Sequence, residues 1–471
     1  MRDTALYGVV QFINKLLLFA TFPILAHRFS PSDFGFIDIG LFFASFVSLL
    51  ILFGQDSAIA RFFYDTEDRR ERQQIIMQSF ALQIIMMGGI CTLLWVAQDI
   101  LVSLMNLSSE QAQALTIILM QQPLLVFFIN CQNILKWNFQ RGPYVTITLG
   151  YPVITLALLV VVTRQADVKL ADIFTSFLIG QAMMACLGLF FVRQFIGMPR
   201  SYQFLRPMIQ YAWPIALVAI AAAFMPLIER FAIQALAGQE ALGLYAAAGR
   251  LGMIAVFAYY AFQTAWGPFS LSLYREENAA QTYRAVLRLY SYGISALVML
   301  LAVSAPVIFM FFDEAYQLGI VLVFPIAFAF ALESFAHILQ LGISLSKKSY
   351  LLIYGYVSYL LTGLAGLAIM MSFGNDASLL SLTLVLIAAH FMKLLVQSYL
   401  AHRAYPIAWD YRHLAGMIGI TAAVGVATFI MMRHDYAHLP IGLFAVSAVW
   451  FLWCLAREIR QLWVHRGMRG V

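Results

Sequence analysis

The chain has 471 residues, 62% of them hydrophobic and 11% charged, and a mean hydropathy of +0.82. A water-soluble domain covers its surface with about 25% charged residues, so this composition excludes a soluble globular protein and leaves a bilayer as the solvent. The formal net charge of +6 could suggest a nucleic-acid partner, but the basic residues fall in short clusters between apolar runs, as orientation signals of inter-helix loops do, and no nucleic acid is expected.

A helix crosses the hydrocarbon core with about 20 apolar residues, and runs of that length predict an all-α integral membrane protein with about fourteen transmembrane helices. The opening MRDTALYGVVQF has no small-residue cleavage site after its apolar run. The first run, roughly residues 5–26, is therefore expected to be a retained span and not a signal peptide. The next spans are predicted at roughly 37–59, 76–97, 113–135, 144–163, 171–192 and 212–235. The second half continues at roughly 241–265, 286–311, 318–341, 350–372, 378–400, 413–432 and 439–456.

Loop charge sets the expected orientation. With the N-terminus inside, the inner segments hold Arg2; Arg61, Arg69, Arg70 and Arg72; Lys136 and Arg141; Arg193, Arg200 and Arg206; Arg275, Arg284 and Arg288; Lys347 and Lys348; Arg403 and Arg412; and Arg457, Arg460, Arg466 and Arg469. The outer loops hold only Arg28, Arg164, Lys169 and Arg433. This asymmetry, about five to one, places both termini in the cytoplasm. No connecting segment is long enough for an outer catalytic domain.

Residues 30–37, SPSDFGFI, join the first two spans, and residues 238–245, GQEALGLY, join the seventh and eighth in a similar way. Each couples a short polar turn to a glycine, Gly35 or Gly243, and an aromatic-rich helix start. The echo predicts two pseudo-symmetric lobes of about six helices each, in parallel orientation with a shared cavity. The expected domains are a first lobe at 1–192, a cytoplasmic linker at 193–211, a second lobe at 212–400, and two further helices with a cytoplasmic tail at 401–471. Prolines within spans, at Pro23, Pro123, Pro152, Pro214, Pro226, Pro306 and Pro325, kink helices where neighbours or a hydrated cavity satisfy the freed carbonyls.

An ionisable side chain at the centre of a span costs about 2.5–3.5 kcal/mol by insertion scales, so such residues are candidates for a pathway. The cations are Lys15, Arg230, Arg250 and Lys393, with Arg61, Lys136 and Arg284 near inner span ends. A cavity lined by them would suit an anion, since guanidinium forks match phosphate oxygens. The structural alternative is that Lys15 and Lys393 snorkel to an interface and that Glu229 neutralises Arg230 beside it. The acidic residues are Asp56, Glu229 and Glu333, with Asp38 near a span end. Glu333 and His337 stand one turn apart on one helix face, which allows a hydrogen bond and a proton relay, or a structural contact alone.

The tyrosines of spans eight and eleven, among them Tyr245, Tyr259, Tyr260, Tyr350, Tyr354, Tyr356 and Tyr359, can stack on sugars but are also usual at membrane interfaces. The four cysteines, Cys91, Cys131, Cys186 and Cys454, lie in apolar runs without metal-ligand spacing, and neither a metal nor a cofactor is expected. No GK dipeptide, HExxH or GxSxG occurs, and the DFG at Asp33 stands without other kinase parts. An enzyme is not expected.

The segments FINKLLLFATFPILAHRFSPSDFGFIDI, LFGQDSAIARFFYDTED, IERFAIQALAGQEALGLYAAAGRL and AFQTAWGPFSLSLYREE resemble Wzx-type polysaccharide flippases of the multidrug/oligosaccharidyl-lipid/polysaccharide (MOP) exporter superfamily, which also contains the MATE transporters. The resemblance implies a bilobed bundle in the bacterial inner membrane that carries a polyprenyl-pyrophosphate-linked oligosaccharide to the periplasmic leaflet by alternating access. It implies cationic residues facing the pyrophosphate. Arg61 stands at the family's basic position after span two, and Glu229 with Arg230 stands where relatives show Asp-Arg. Lys15 and Arg250 follow the general cationic pattern; Arg284 and Lys393 join the candidate headgroup ligands by charge and position, and Asp56, Glu229, Glu333 and His337 are the candidates for ion coupling. The expected partners are the lipid-linked oligosaccharide, membrane lipids and a polysaccharide polymerase or assembly protein, with the chain itself a monomer. Three other readings stay open: a MATE-like multidrug or cation antiporter, a membrane-bound polymerase or ligase, and a scaffold of an envelope assembly machine.

Overall fold

The structure, a computed structural model, describes residues 2–274, 276–346, 348, 350–372, 379–433 and 439–467. Of the inner basic residues counted above, Arg275, Lys347 and Arg469 lie outside the described residues, as do the side chains of Arg2 and Arg466 and, on the outer side, that of Arg433.

The first half of the chain forms α1 (Arg2–Phe19), α2 (Thr21–Arg28), α3 (Pro31–Leu52), α4 (Gln55–Phe63), α5 (Arg69–Val96), α6 (Gln98–Leu104), α7 (Ser109–Trp137), α8 (Arg141–Val162), α9 (Leu170–Val192) and α10 (Leu205–Leu273). Then follow α11 (Ala279–Phe309), a 3-10 turn at Glu314–Gly319, α12 (Ile320–Leu339), α13 (Leu341–Leu345), α14 (Leu351–Ser372), α15 (Leu379–Ala404), α16 (Tyr411–Arg433) and α17 (Leu439–Gly467).

Thirteen helical stretches among the described residues are long and apolar enough to cross a membrane. One of them, Leu205–Gln263, has 59 residues, and at 1.5 Å per residue it is roughly 90 Å long, about three hydrocarbon thicknesses. Gly238 inside it has φ 88° and ψ 174°, a conformation that no helix continues through. Each of its two arms is long enough to cross by itself, and counting them separately gives fourteen candidate crossings among the described residues, against about fourteen predicted. The chain is a multi-pass membrane protein, and its exposed faces are apolar: Ile84, Ile85, Leu93 and Val96 on α5, and Val446, Val449 and Trp453 on α17.

Two compact units are present, Met1–Gly243 and Leu244–Val471. In the first, α9 packs on α7 and α8, α1 on α8, and α3 on α7. The buried core includes Ile59, Phe63, Ile76, Cys131, Ile134, Tyr144, Ile147 and Ala212. Helix starts follow local chemistry. Ser30 accepts a hydrogen bond from the Asp33 N–H ahead of Pro31 at the first helical position, and Ser108 forms a reciprocal capping box with Gln111. The second predicted span is not one rod. Phe53 and Gly54 adopt left-handed conformations and divide α3 from α4, where a Cβ on Gly54 would lie 2.8 Å from the Ala212 carbonyl.

The glycines of the sequence echo meet within this unit. A Cβ on Gly35 would lie 2.8 Å from the Gly243 nitrogen and 2.9 Å from the Gln239 carbonyl, and one on Gly243 would overlap the Pro31 carbonyl. α3 and α10 thus touch backbone to backbone, the packing that small residues allow between membrane helices. Beside the contact, Gln239 Oε1 accepts hydrogen bonds from Ser32 Oγ and Gln111 Nε2, each at 3.0 Å.

Amide side chains of α5 hold the segment between α9 and α10. Gln73 Nε2 donates to the Ile196 carbonyl (2.9 Å) and Gln74 Nε2 to that of Met198 (3.2 Å). The Arg200 N–H donates to Gln74 Oε1 (2.7 Å) and the Phe204 N–H to Gln78 Oε1 (2.9 Å).

In the second unit α11 packs on α12 and α17, and α15 packs on α12 and α14. The last two long helices attach to α11 through Met299, Ala302, Met417, Phe444, Ala448 and Phe451. Arg288, in the first third of α11, adds a fork to Asp410 Oδ2, with Nε at 2.9 Å and Nη2 at 2.5 Å. That guanidinium holds the Asp410 carboxyl below its usual range.

Candidate functional site

The densest group of ionisable side chains among the described residues lies in the second unit. Glu333 and His337 are four residues apart on α12, and His390 and Lys393 three apart on α15, so each pair shares one helix face. Packing of α12 on α15 joins the two pairs. Lys393 Nζ donates to Glu333 Oε1 at 2.5 Å, His337 Nε2 lies 3.1 Å from the same oxygen, and His390 Nδ1 lies 3.1 Å from Oε2. A burial penalty of several kcal/mol per ion is offset where opposite charges meet and their remaining donors are used.

Aromatic rings wall this cluster. Lys393 Nζ sits 3.8 Å from the Tyr356 ring centroid, Tyr259 stacks on His337 at 4.9 Å and 17°, and Tyr359 meets His390 edge-on at 4.8 Å. Gly355 is what lets α14 come so close: a Cβ there would run into the Gln397 side chain on α15. Lys393 is only 2% exposed. It does not snorkel to an interface.

In the first unit Arg230 Nε donates to Asp38 Oδ2 at 2.6 Å, and Nη1 donates to the Pro226 carbonyl at 2.9 Å. Its Cζ lies 3.5 Å from the Phe42 centroid. A carboxylate on another helix, Asp38 of α3, thus pairs with Arg230. Asp38 is fully buried, not near an exposed end.

The other predicted residues are more dispersed. Arg61, in the last turn of α4, is exposed and paired with Asp65, while Asp56 is half-buried in the first turn of the same helix. Arg284 is exposed and donates to the Ala280 carbonyl at 3.2 Å. Lys15, Glu229 and Arg250 are half-buried on α1 and on the two arms of α10. Lys136 donates to Asn133 Oδ1 at 3.0 Å. A cavity of about 230 Å³ is lined by Phe63, Arg69, Arg72, Gln73, Asn138 and Gln194. Arg72 is already committed there, its Nε donating to the carbonyls of Phe63 (3.1 Å) and Thr66 (2.8 Å).

Sequence reasoning missed His390 as a member of the cluster and Asp38 as the partner of Arg230. The first had a signal, its i, i+3 spacing from Lys393. The second had none, since 192 residues separate the partners.

The chain matches the profile of a family described as polysaccharide biosynthesis protein over residues 1–274. No curated protein matches it. Its fold is shared with solved structures of low identity. A lipid II flippase, MurJ, in an inward closed conformation aligns with TM-score 0.71 at 12% identity, over 97% of this chain and 99% of its own. An inward-facing multidrug resistance MATE family transporter of the MOP superfamily aligns with TM-score 0.66 at 15% identity, over 83% and 94%. A MOP superfamily transporter from Pyrococcus furiosus aligns with TM-score 0.56 at 13% identity, over 85% and 95%. The all-helical chain has the MOP fold.

Proposed function

Because the chain belongs to the polysaccharide biosynthesis protein family, we propose that it flips a polyprenyl-pyrophosphate-linked oligosaccharide from the cytoplasmic to the periplasmic leaflet of a bacterial inner membrane. It does so by alternating access, with both termini in the cytoplasm, as a transporter and not an enzyme. One observation carries this reading: a member of a polysaccharide-building family is almost wholly membrane helix, with only short segments between crossings. Its contribution to that pathway then lies within the bilayer. A sugar and a pyrophosphate do not cross hydrocarbon unaided, whereas a polyprenyl tail stays in lipid while its headgroup moves.

Basic residues receive the pyrophosphate in this reading: Lys15, Arg61 and Arg230 in the first unit, Arg250 and Arg284 in the second. Arg230 would exchange Asp38 for a phosphate oxygen. Lys393, read from sequence with this group, is held by Glu333. The partners are the lipid-linked oligosaccharide and the surrounding lipids.

Complementation of a flippase-deficient strain tests the proposal. The wild-type chain is expected to restore surface polysaccharide. Arg61→Ala and Arg230→Ala are expected to accumulate lipid-linked precursor and to lower export roughly ten- to hundredfold, the factor that a lost charge-assisted contact of about 1.5–3 kcal/mol implies. Normal export by both variants would remove the headgroup role. The MATE reading takes its support from the shared fold, and it would be favoured by drug resistance on expression without polysaccharide export.

A further inference from the structure

We propose that Glu333, His337, His390 and Lys393 form a site for one proton inside the second unit, that His337 is the group that takes it, and that its occupancy sets the pH dependence of transport. The last clause rests on the transporter reading; the first two do not.

The charges come first. Glu333 and Lys393 cancel one another at 2.5 Å, so with both imidazoles neutral the cluster has no net charge, and a single added proton makes it cationic. Three kinds of cation could sit beside a buried carboxylate: a metal ion, the lysine ammonium, or a protonated ring. Lys393 Nζ already sits on Oε1, and no group of three or more histidine, cysteine or carboxylate side chains placed to hold a metal occurs among the described residues. The remaining capacity is for a proton.

The hydrogen bonds then separate the two rings. His390 gives its Nδ1 hydrogen to Glu333 Oε2. Its Nε2 is buried and has no hydrogen-bond partner among the described residues. A proton placed there would create a buried donor with no acceptor, which disfavours the charged ring. His337 also faces the carboxylate, through Nε2, but its Nδ1 meets the Gln340 side-chain amide at 3.3 Å. That amide donates to a neutral ring, and by turning over it presents its oxygen to a protonated one. His337 has 22% of its side chain exposed against 9% for His390, so it is the less enclosed of the two rings. The face of Tyr259 stacked on it favours a cation.

The groups that face this ring from each packed element are consistent with one proton and no more. α12 supplies Glu333 and α15 supplies His390 and Lys393. α14 supplies Tyr356 and Tyr359, and the second arm of α10 supplies Tyr259, with Tyr260 next to it and Tyr290 of α11 close to Tyr259. Only one carboxylate stands among them. It is balanced once by Lys393 and can support one further positive charge by hydrogen bonding.

Proton uptake is measured directly, on the full chain in nanodiscs, with a pH indicator in weakly buffered solution. Between about pH 8 and pH 5 the wild type is expected to take up roughly one proton per chain more than His337→Gln, while His390→Gln takes up as many as the wild type. Gln340→Leu, which keeps the ring and removes its amide partner, is expected to take up less over the same range. Replacing sodium with choline is expected to change nothing. Equal losses in the two histidine variants, no loss in His337→Gln, or uptake displaced by sodium would each overturn the assignment. If His390→Gln fails to give a monodisperse gel-filtration peak, His337→Gln and Gln340→Leu still decide. Export scored against external pH supplies the second arm: a flat profile in His337→Gln supports the regulatory clause, and a profile unchanged from wild type removes it. A wild-type chain that takes up the proton but exports no polysaccharide precursor counts against the flippase reading and leaves the proton site standing.

Discussion

Arg230 is 6% exposed and Asp38 1% exposed, and a buried ion pair of this kind is held by both partners at once. Removing one partner of a buried ion pair costs about 3–5 kcal/mol, whereas replacing both by neutral groups costs far less. Arg230→Ala alone is therefore an ambiguous variant, since it can abolish export by weakening the fold. The informative protein is the double variant Asp38→Asn with Arg230→Gln. Thermal unfolding in detergent is expected to fall for either single change and to recover most of the loss in the double. If Arg230 also grips a pyrophosphate, the recovered double variant still fails to export; restored export would reduce Arg230 to a structural ion-pair partner. Arg61 needs no such care, because an exposed pair such as Arg61–Asp65 contributes little to stability.

At the scale of helices, the 59-residue stretch illustrates how a single position sets an element. Gly238 has positive φ with extended ψ, a region open to glycine and strained for any other residue by about 1–3 kcal/mol. A Cβ there would meet nothing within 4 Å, so the penalty is conformational and not steric. Gly238→Ala is expected to lower the melting temperature. Gly249→Ala, in regular helix of the same element with equal room, is expected to leave it unchanged or raise it. The lengths of the spans were legible because bilayer thickness imposes a count on any apolar run. The interruption at Phe53–Gly54 was not, because a left-handed phenylalanine inside an apolar run carries no compositional mark. The site divides in the same way. Glu333 with His337 could be read from helical spacing, and His390 beside Lys393 could have been, but a lone histidine on an apolar helix reads first as core. The match of Arg230 to Asp38 depends on how α10 lies against α3, which local pattern does not encode.

For the whole molecule, orientation is the property that composition speaks to most directly. Met198, in the segment between α9 and α10, and Asp167, between α8 and α9, are both exposed, and the charge count puts them on opposite sides of the membrane. Met198→Cys is expected to react with an impermeant maleimide only from the cytoplasmic side, and Asp167→Cys only from the periplasmic side. The reverse pattern would overturn the orientation and with it the direction of transport. One exception to the charge count has its own explanation: Arg28 donates to the carbonyls of Gln165 (2.7 Å) and Ala166 (2.9 Å). It is occupied in closing the loop after α8.

The glutamines of α5 grip main-chain atoms at Ile196, Met198, Arg200 and Phe204. Such a grip recognises the route of a strand and is blind to its lettering. One imino acid at position 200 or 204 would delete a donor and let the ribbon lift away, and a side chain at Gly197 would push against the Gln73 amide. Because the holding groups are uncharged amides, added salt would not prise it free either.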